Sequence, residues 1–220
     1  MDDTCYICSQ SANSKEHAPA RCFFPDGSAY RKNLITVPSC KLHNEDTSKD
    51  DKYVRNVIAM SIDNNAIAFK QFIDKTVQAF KKSPALLKTT TEIKKKVSID
   101  GQSATAIQID RARFDKVIKK IGYALFFIEY RRPWQRRLIV MPKNLYDENM
   151  GVDELGALVK EFEGLFPKNN FSGDNLEVFK YSFLENDTGD INDKILRIIF
   201  YEGFHVWISP VLDSTSPSLQ

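Results

Sequence analysis

Apolar residues recur at helical spacing in three stretches of the chain. Between residues 54 and 80 they fall every three or four positions, with an interruption at 63–65. This pattern predicts one long helix or two consecutive helices, which Pro84 ends. A continuous apolar stripe over 110–130 predicts a single helix, and a shorter stripe around 155–162 predicts another.

Shorter apolar runs, rich in β-branched and aromatic residues, predict strands. The segment 89–109 has the pattern of a hairpin that turns at Asp100 and Gly101, a pair that favours two-residue turns. The last residues, 213–220, are rich in Ser and Pro and are predicted to be disordered. Further strands are predicted at 138–141, 178–184, 195–201 and 205–211, the last two joined around Glu202 and Gly203.

Composition favours a globular protein over a membrane protein or a secreted disulfide scaffold. The 220 residues are 42% hydrophobic, which is enough for a sizeable core. The first residues lack the basic and apolar regions of a signal peptide, and no apolar run approaches the roughly 20 residues of a membrane span. With only four cysteines, most of them in metal-type spacings, we expect a cytoplasmic protein that does not contact membranes.

Three of the four cysteines lie in two short clusters near the N-terminus. Cys5 and Cys8 are separated by two residues, and Cys40 and His43 have the same separation. This spacing lets one tight turn direct two side chains at a common ion, and Zn²⁺ accepts sulfur and imidazole ligands in a tetrahedron. The sequence therefore predicts a structural zinc site made by these four residues. The alternative is that the thiols are buried and free, with their spacing a coincidence.

A second motif lies between and after these clusters. Glu16 and His17 are followed by Pro19, and the second cluster is followed directly by Asn44. This combination resembles the HNH, or ββα-metal, nuclease family, in which an acidic residue and a His mark the catalytic strand. The resemblance covers about the first 55 residues and includes the polar segment 48–53.

The resemblance implies a role for each residue of the motif. His17 would be the general base that activates a water molecule, a task that suits imidazole because its pKa is near neutrality. Glu16 and Asn44 would hold the catalytic ion, and their oxygen ligands favour Mg²⁺ or Mn²⁺. The family's brace residue has its nearest counterpart in Asn33, and its basic residue in Lys49. The alternative makes Glu16 and His17 a surface pair and Asn44 a helix N-cap.

Basic residues are clustered, although the formal net charge is only +2. Four arginines flank Trp134, and such residues can neutralise phosphates while the indole ring stacks on a base. The predicted partner is therefore nucleic acid, most simply DNA; the alternative is a solvated charged face with Trp134 packed inside. The arginines are Arg131, Arg132, Arg136 and Arg137, and a second cluster consists of Lys81, Lys82, Lys88, Lys94, Lys95 and Lys96.

Together these patterns predict an α+β protein in four parts. A zinc-stapled, HNH-like ββα module covers 1–55, and a helical connector with the hairpin covers 56–104. An α+β domain, with an antiparallel sheet and helices packed on one face, covers 105–212, and the tail covers 213–220.

Two functions are compatible with this organisation. In the first, the N-terminal module is a metal-dependent endonuclease that hydrolyses phosphodiester bonds. The C-terminal domain would then recognise the substrate, a regulatory protein or a signal. In the second, the zinc frame is retained and the chain is a non-catalytic adaptor that binds nucleic acid or protein. The sequence favours the endonuclease because Glu16, His17 and Asn44 are all present.

Overall fold

The computed structural model describes residues 4–8, 10–44, 48–91, 94–99, 102–143, 145, 152–167, 170–184 and 189–211. Its α-helices are α1 (Lys41–Asn44), α2 (Ser48–Ala59), α3 (Ala66–Gln71), α4 (Gln78–Lys82), α5 (Pro84–Thr91), α6 (Arg111–Tyr130) and α7 (Val152–Leu165). A π-helical segment, Phe72–Val77, joins α3 to α4. Among the described residues no helix is both long and apolar enough to cross a membrane.

The strands form three antiparallel sheets. β1 (Ser14–His17) pairs with β2 (Thr36–Ser39), and β3 (Lys94–Ile99) pairs with β4 (Gln102–Ile107). The third sheet has five strands in the order β5-β9-β8-β7-β6. Its strands are β5 (Leu138–Pro142), β6 (Ser172–Asn175), β7 (Phe179–Leu184), β8 (Ile195–Phe200) and β9 (Phe204–Pro210).

The predicted α+β class and the antiparallel sheet are confirmed, with differences in detail. Pro84 begins a further helix, α5, because proline is tolerated in the first turn, where its missing N–H has no helical partner. Residues 89–91 belong to that helix, so the hairpin starts only at Lys94. The predicted turn pair 100–101 and the predicted tail lie outside the described residues. Strand β6 was not predicted, since its sequence of Ser, Gly, Asp and Asn disfavours strands.

One face of the five-stranded sheet packs against α6. Side chains alternate between the two faces of a strand, and on β8 the inward-facing Leu196, Ile198 and Phe200 are fully buried. A glycine allows the close approach of helix and sheet. A Cβ atom at Gly122 would lie 2.8 Å from Cδ1 of Ile208 on β9. The apolar stripe predicted over 110–130 therefore faces the sheet.

Helix α7 contacts the opposite face, so the prediction of helices on one face only is wrong. The ring of Phe162 lies 5.7 Å from that of Trp207, centroid to centroid. Trp207 alternates along β9 with the inward-facing Val206 and Ile208, and it is 2% exposed. Trp207 on the outer face of the sheet is therefore shielded from solvent in part by α7.

The predicted boundaries at residues 55 and 104 do not separate two cores. Phe23 ends a short 3-10 helix, Arg21–Phe23, between β1 and β2. Its ring stacks on Phe200 of the sheet at 5.4 Å, and Phe24 contacts Phe179 at 6.4 Å. The hydroxyl of Tyr201 donates a hydrogen bond to the carbonyl of Phe23. These residues belong to one apolar cluster that also contains α2 and α6. The N-terminal hairpin and the sheet therefore share a core.

Gly203, in the turn between β8 and β9, gives a test of this shared core. A Cβ atom at Gly203 would lie 1.9 Å from the backbone oxygen of Asp63, in the loop before α3. We expect Gly203→Ala to lower the free energy of unfolding by about 1–3 kcal/mol. The added Cβ atom would clash with the backbone at Asp63, and neither that loop nor the β8–β9 turn can move without losing contacts.

The matched control is Gly156→Ala, on an open surface of α7, where nothing lies within 4 Å of the added Cβ atom. That substitution should raise stability by up to about 1 kcal/mol, since alanine favours helix. Chemical denaturation of both variants measures the two effects. Equal stabilities would contradict the proposed contact between the two segments.

Candidate metal centre and the adjacent strand

The four predicted zinc ligands come from two short segments on either side of the β1–β2 hairpin. Cys5 and Cys8 lie in a tight turn before β1, and Cys40 follows β2 directly, while His43 lies in α1. The turn is fixed by backbone hydrogen bonds, including that from the Cys5 N–H to the Gln10 carbonyl at 2.9 Å. Antiparallel pairing of the strands then brings both segments together.

The four ligand atoms form a compact group, all within 4.8 Å of one another. Nδ1 of His43 lies 3.3 Å from Sγ of Cys5, 3.5 Å from Sγ of Cys8 and 3.3 Å from Sγ of Cys40. The sulfurs of Cys8 and Cys40 are 3.9 Å apart. A tetrahedral ion with bonds of about 2.3 Å requires ligand separations of about 3.8 Å, so the group fits Zn²⁺.

The surroundings of Cys5 favour the thiolate, which is the form that binds metal. Burial opposes its ionisation, but hydrogen bonds from nearby backbone N–H groups, chiefly that of Ile7, and from His43 lower the pKa of Cys5 to about 6. All four cysteines of the chain are free of disulfides. The residues present are therefore suited to a Cys₃His metal centre.

The centre also packs against the rest of the molecule. Cys5 and Cys40 belong to a small buried cluster with Ala124 and Phe127 of α6. Tyr6, next to the first ligand, is fully buried in the same cluster. The metal ligands are therefore held between the hairpin and the helix that supports the sheet.

Strand β1 directs its last two residues differently. Adjacent strand residues point to opposite faces. Glu16 is buried, whereas His17 is half-buried at the end of the strand. Within the described part of the chain, the side chain of His17 makes no hydrogen bond or ion pair. Its ring is available as a base or as a binding group.

The carboxylate of Glu16 lies against a lysine rather than near the other predicted ion ligand. Nζ of Lys120, on α6, is 3.1 Å from Oε1 of Glu16 and 3.3 Å from both carboxylate oxygens of Asp51 on α2. All three side chains are at least nine-tenths buried. Burial raises the pKa of Glu16, and the Lys120 ammonium opposes that shift.

Asn44 has a different partner. Its Nδ2 donates to Oγ of Ser14 at 2.8 Å, and that hydroxyl donates in turn to the carbonyl of Ser39 at 2.9 Å. Asn44 is the last residue of α1 and therefore not the N-cap of that helix. Since Glu16 contacts Lys120 and Asn44 contacts Ser14, the residues expected to hold Mg²⁺ or Mn²⁺ do not fit that ion here.

The two remaining residues of the HNH-like pattern lie on the surface. Asn33 is exposed and has a φ of 46°, in the left-handed region that Asn tolerates in turns. Lys49 is exposed in the first turn of α2, where its carbonyl accepts a hydrogen bond from Arg113.

Trp134 is a core residue, so the prediction that it stacks on a base is wrong. It is 4% exposed, its ring is stacked on Phe126 at 4.7 Å, and its Nε1 donates to the carbonyl of Asn192 at 2.7 Å. The alternative, that Trp134 packs inside, is confirmed. In the sequence, an aromatic residue that follows a proline in a basic segment looks the same whether it packs in the core or stacks on a base.

The arginine cluster around it is partly neutralised. Arg136 forms ion pairs with Asp190 at 2.8 Å and Asp193 at 3.1 Å. The other three arginines, Arg131, Arg132 and Arg137, have exposed side chains. These three remain candidates for phosphate contact.

Sequence reasoning did not identify Lys120 and Asp51 as site residues. A signal was present in both cases. Lys120 lies within the apolar stripe of α6, between Val117 and Ala124, and a charged residue at such a position needs a buried partner. Asp51 likewise lies one turn before Val54 on the buried face of α2.

Comparison of the chain with protein-family models, with curated proteins and with solved structures gives no match. The description of the site therefore depends on its own geometry. That geometry defines a Cys₃His centre beside a buried cluster of two carboxylates and one ammonium.

We expect the protein purified without chelator to contain one zinc ion per chain. X-ray absorption should give Zn–S distances near about 2.3 Å and a Zn–N distance near about 2.0–2.1 Å. Cys40→Ser should abolish zinc binding, whereas Cys22→Ser, which removes the thiol outside the quartet, should not. Because the centre packs on α6, chelation should also lower the melting temperature of the whole molecule. Protein without stoichiometric zinc would contradict this assignment.

Proposed function

We propose that this chain is a zinc-stabilised protein with an HNH-type ββα module that binds nucleic acid without hydrolysing it. One observation carries the proposal. The ammonium of Lys120 lies between the carboxylates of Glu16 and Asp51, so the acidic residue of the HNH-type motif already has a cationic partner.

The energetic requirement of phosphodiester cleavage explains why this contact matters. Hydrolysis needs a cation that stabilises the charge developing on the phosphate and on the leaving oxygen. Glu16 is the carboxylate that the resemblance assigns to the catalytic ion, and it is buried against a lysine of α6. The four candidate zinc ligands and the β1–β2 hairpin are both present, so the module can serve as a folded binding unit without a catalytic ion.

Exposed lysines supply a surface for such binding. They lie on consecutive elements, α4, α5 and β3, and they make no ion pair within the described residues. Neighbouring residues Lys95 and Lys96 point to opposite faces of β3. Among the described strands β3 pairs with β4 alone, so both faces of this small hairpin carry charge. Each phosphate neutralised by a lysine releases a counterion and so favours binding. The exposed lysines are Lys81, Lys82, Lys88, Lys95 and Lys96.

A second candidate is the HNH-type endonuclease. One observation favours it: His17 is half-buried at the end of β1, and its side chain has no hydrogen-bond partner among the described residues, so a ring nitrogen is free to accept a proton. In that function, His17 would accept the proton of the attacking water molecule. The two candidates differ in whether the parent protein cleaves nucleic acid at all.

A cleavage assay with Mg²⁺ and with Mn²⁺, on single- and double-stranded DNA and RNA, separates the candidates. We expect binding without cleavage, and we expect His17→Ala to leave affinity nearly unchanged. Cleavage by the parent protein that His17→Ala abolishes, with zinc content intact, would establish the endonuclease instead. Loss of a general base typically costs 10²–10⁴-fold in rate.

The lysine surface has its own test. The double variant Lys95→Gln/Lys96→Gln should weaken binding and reduce the slope of log affinity against log salt by about 1 to 2. The charge-matched control is Lys70→Gln/Lys160→Gln, which removes two exposed lysines elsewhere on the surface. Equal effects of the two double variants on affinity and slope would contradict a role for the hairpin. Fluorescence anisotropy at several salt concentrations measures both quantities.

A further inference from the structure

Three separate elements bring charged side chains to one buried position. Glu16 comes from β1, Asp51 from α2 and Lys120 from α6, and their exposed fractions are 7%, 4% and 8%. Side chains with these charges are rarely buried unless they are paired. The position lies where the β1–β2 hairpin, α2 and α6 meet.

The arrangement is that of two carboxylates around one cation. Nζ of Lys120 contacts Oε1 of Glu16 at 3.1 Å and both oxygens of Asp51 at 3.3 Å. A divalent metal ion would be bound by the same carboxylate oxygens, at about 2.0–2.1 Å for Mg²⁺. An ammonium satisfies the same electrostatic demand through longer hydrogen bonds, so the two cations are mutually exclusive at this position.

We propose that Lys120 is a built-in cation that occupies the place of a divalent ion between Glu16 and Asp51. Its side chain closes the ion site of the HNH-type module. The parent protein therefore does not take up Mg²⁺ or Mn²⁺ at this position, and removal of the ammonium opens the site. This inference deepens the proposed function by naming the residue that excludes the ion, and it rests on that proposal only for the type of module.

The test is a titration of the full-length, zinc-loaded protein with Mn²⁺ alone, followed by the electron paramagnetic resonance signal of the free ion. Lys120→Met should bind one Mn²⁺ per chain at least about tenfold more tightly than the parent, because two carboxylates lose their cation. The control is Lys116→Met, one turn earlier on α6, which removes an exposed lysine paired with Asp50 rather than Asp51. It should bind Mn²⁺ no better than the parent.

A second variant keeps the test decisive if Lys120→Met is poorly folded. Lys120→Gln removes the charge but keeps a polar group on a shorter side chain, and the melting temperature of this variant should rise with Mn²⁺ concentration. Adding Asp51→Asn to either variant should return its affinity for Mn²⁺ to that of the parent. Stoichiometric Mn²⁺ binding by the parent that Glu16→Gln abolishes would overturn the proposal, as would Lys120→Met and Lys120→Gln variants that bind no better than the parent.

These outcomes do not depend on nucleic acid. A parent protein that binds no nucleic acid would refute the proposed function while the Mn²⁺ titration still decides the role of Lys120. Conversely, a failed titration would leave the binding of nucleic acid through the lysine surface intact.

Discussion

Burial of helix α6 is the constraint on which the other contacts depend. Its apolar stripe packs on the five-stranded sheet, with Gly122 allowing close approach to Ile208. Ala124 and Phe127 of the same helix pack against the candidate metal ligands Cys5 and Cys40. Lys120 joins it to β1 and to α2 through ion pairs with Glu16 and Asp51. A shift of this helix would therefore change the packing at the candidate metal centre, at the sheet, and at the cluster of Glu16, Asp51 and Lys120.

The sequence predicted those features that depend on local spacing. Two residues between ligands allow a turn to direct both at one ion, so the metal quartet could be identified without knowledge of the fold. A sustained stripe with a period near 3.6 identified α6 to within one residue. Short apolar runs rich in β-branched and aromatic residues identified strands β7, β8 and β9.

Features that depend on the partner of a buried surface could not be predicted this way. Periodicity indicates that a face is buried, but not against which element. The shared core of Phe23 and Phe200 and the packing of Trp134 on Phe126 depend on tertiary contacts far apart in sequence. The same holds for Glu16, whose role changes from ion ligand to partner of Lys120 because a helix about a hundred residues later supplies the ammonium.

The packing of the metal centre on α6 also has a consequence for the order of events during synthesis. The ligands are complete once residue 43 has left the ribosome, whereas their apolar partners Ala124 and Phe127 emerge much later. Until then α6 cannot cover the face of the hairpin that carries Cys5 and Cys40. A short segment of this size buries too little apolar surface to fold alone. Zinc bound at that early stage would hold β1 and β2 in register, and α6 would pack against the hairpin once it has been synthesised.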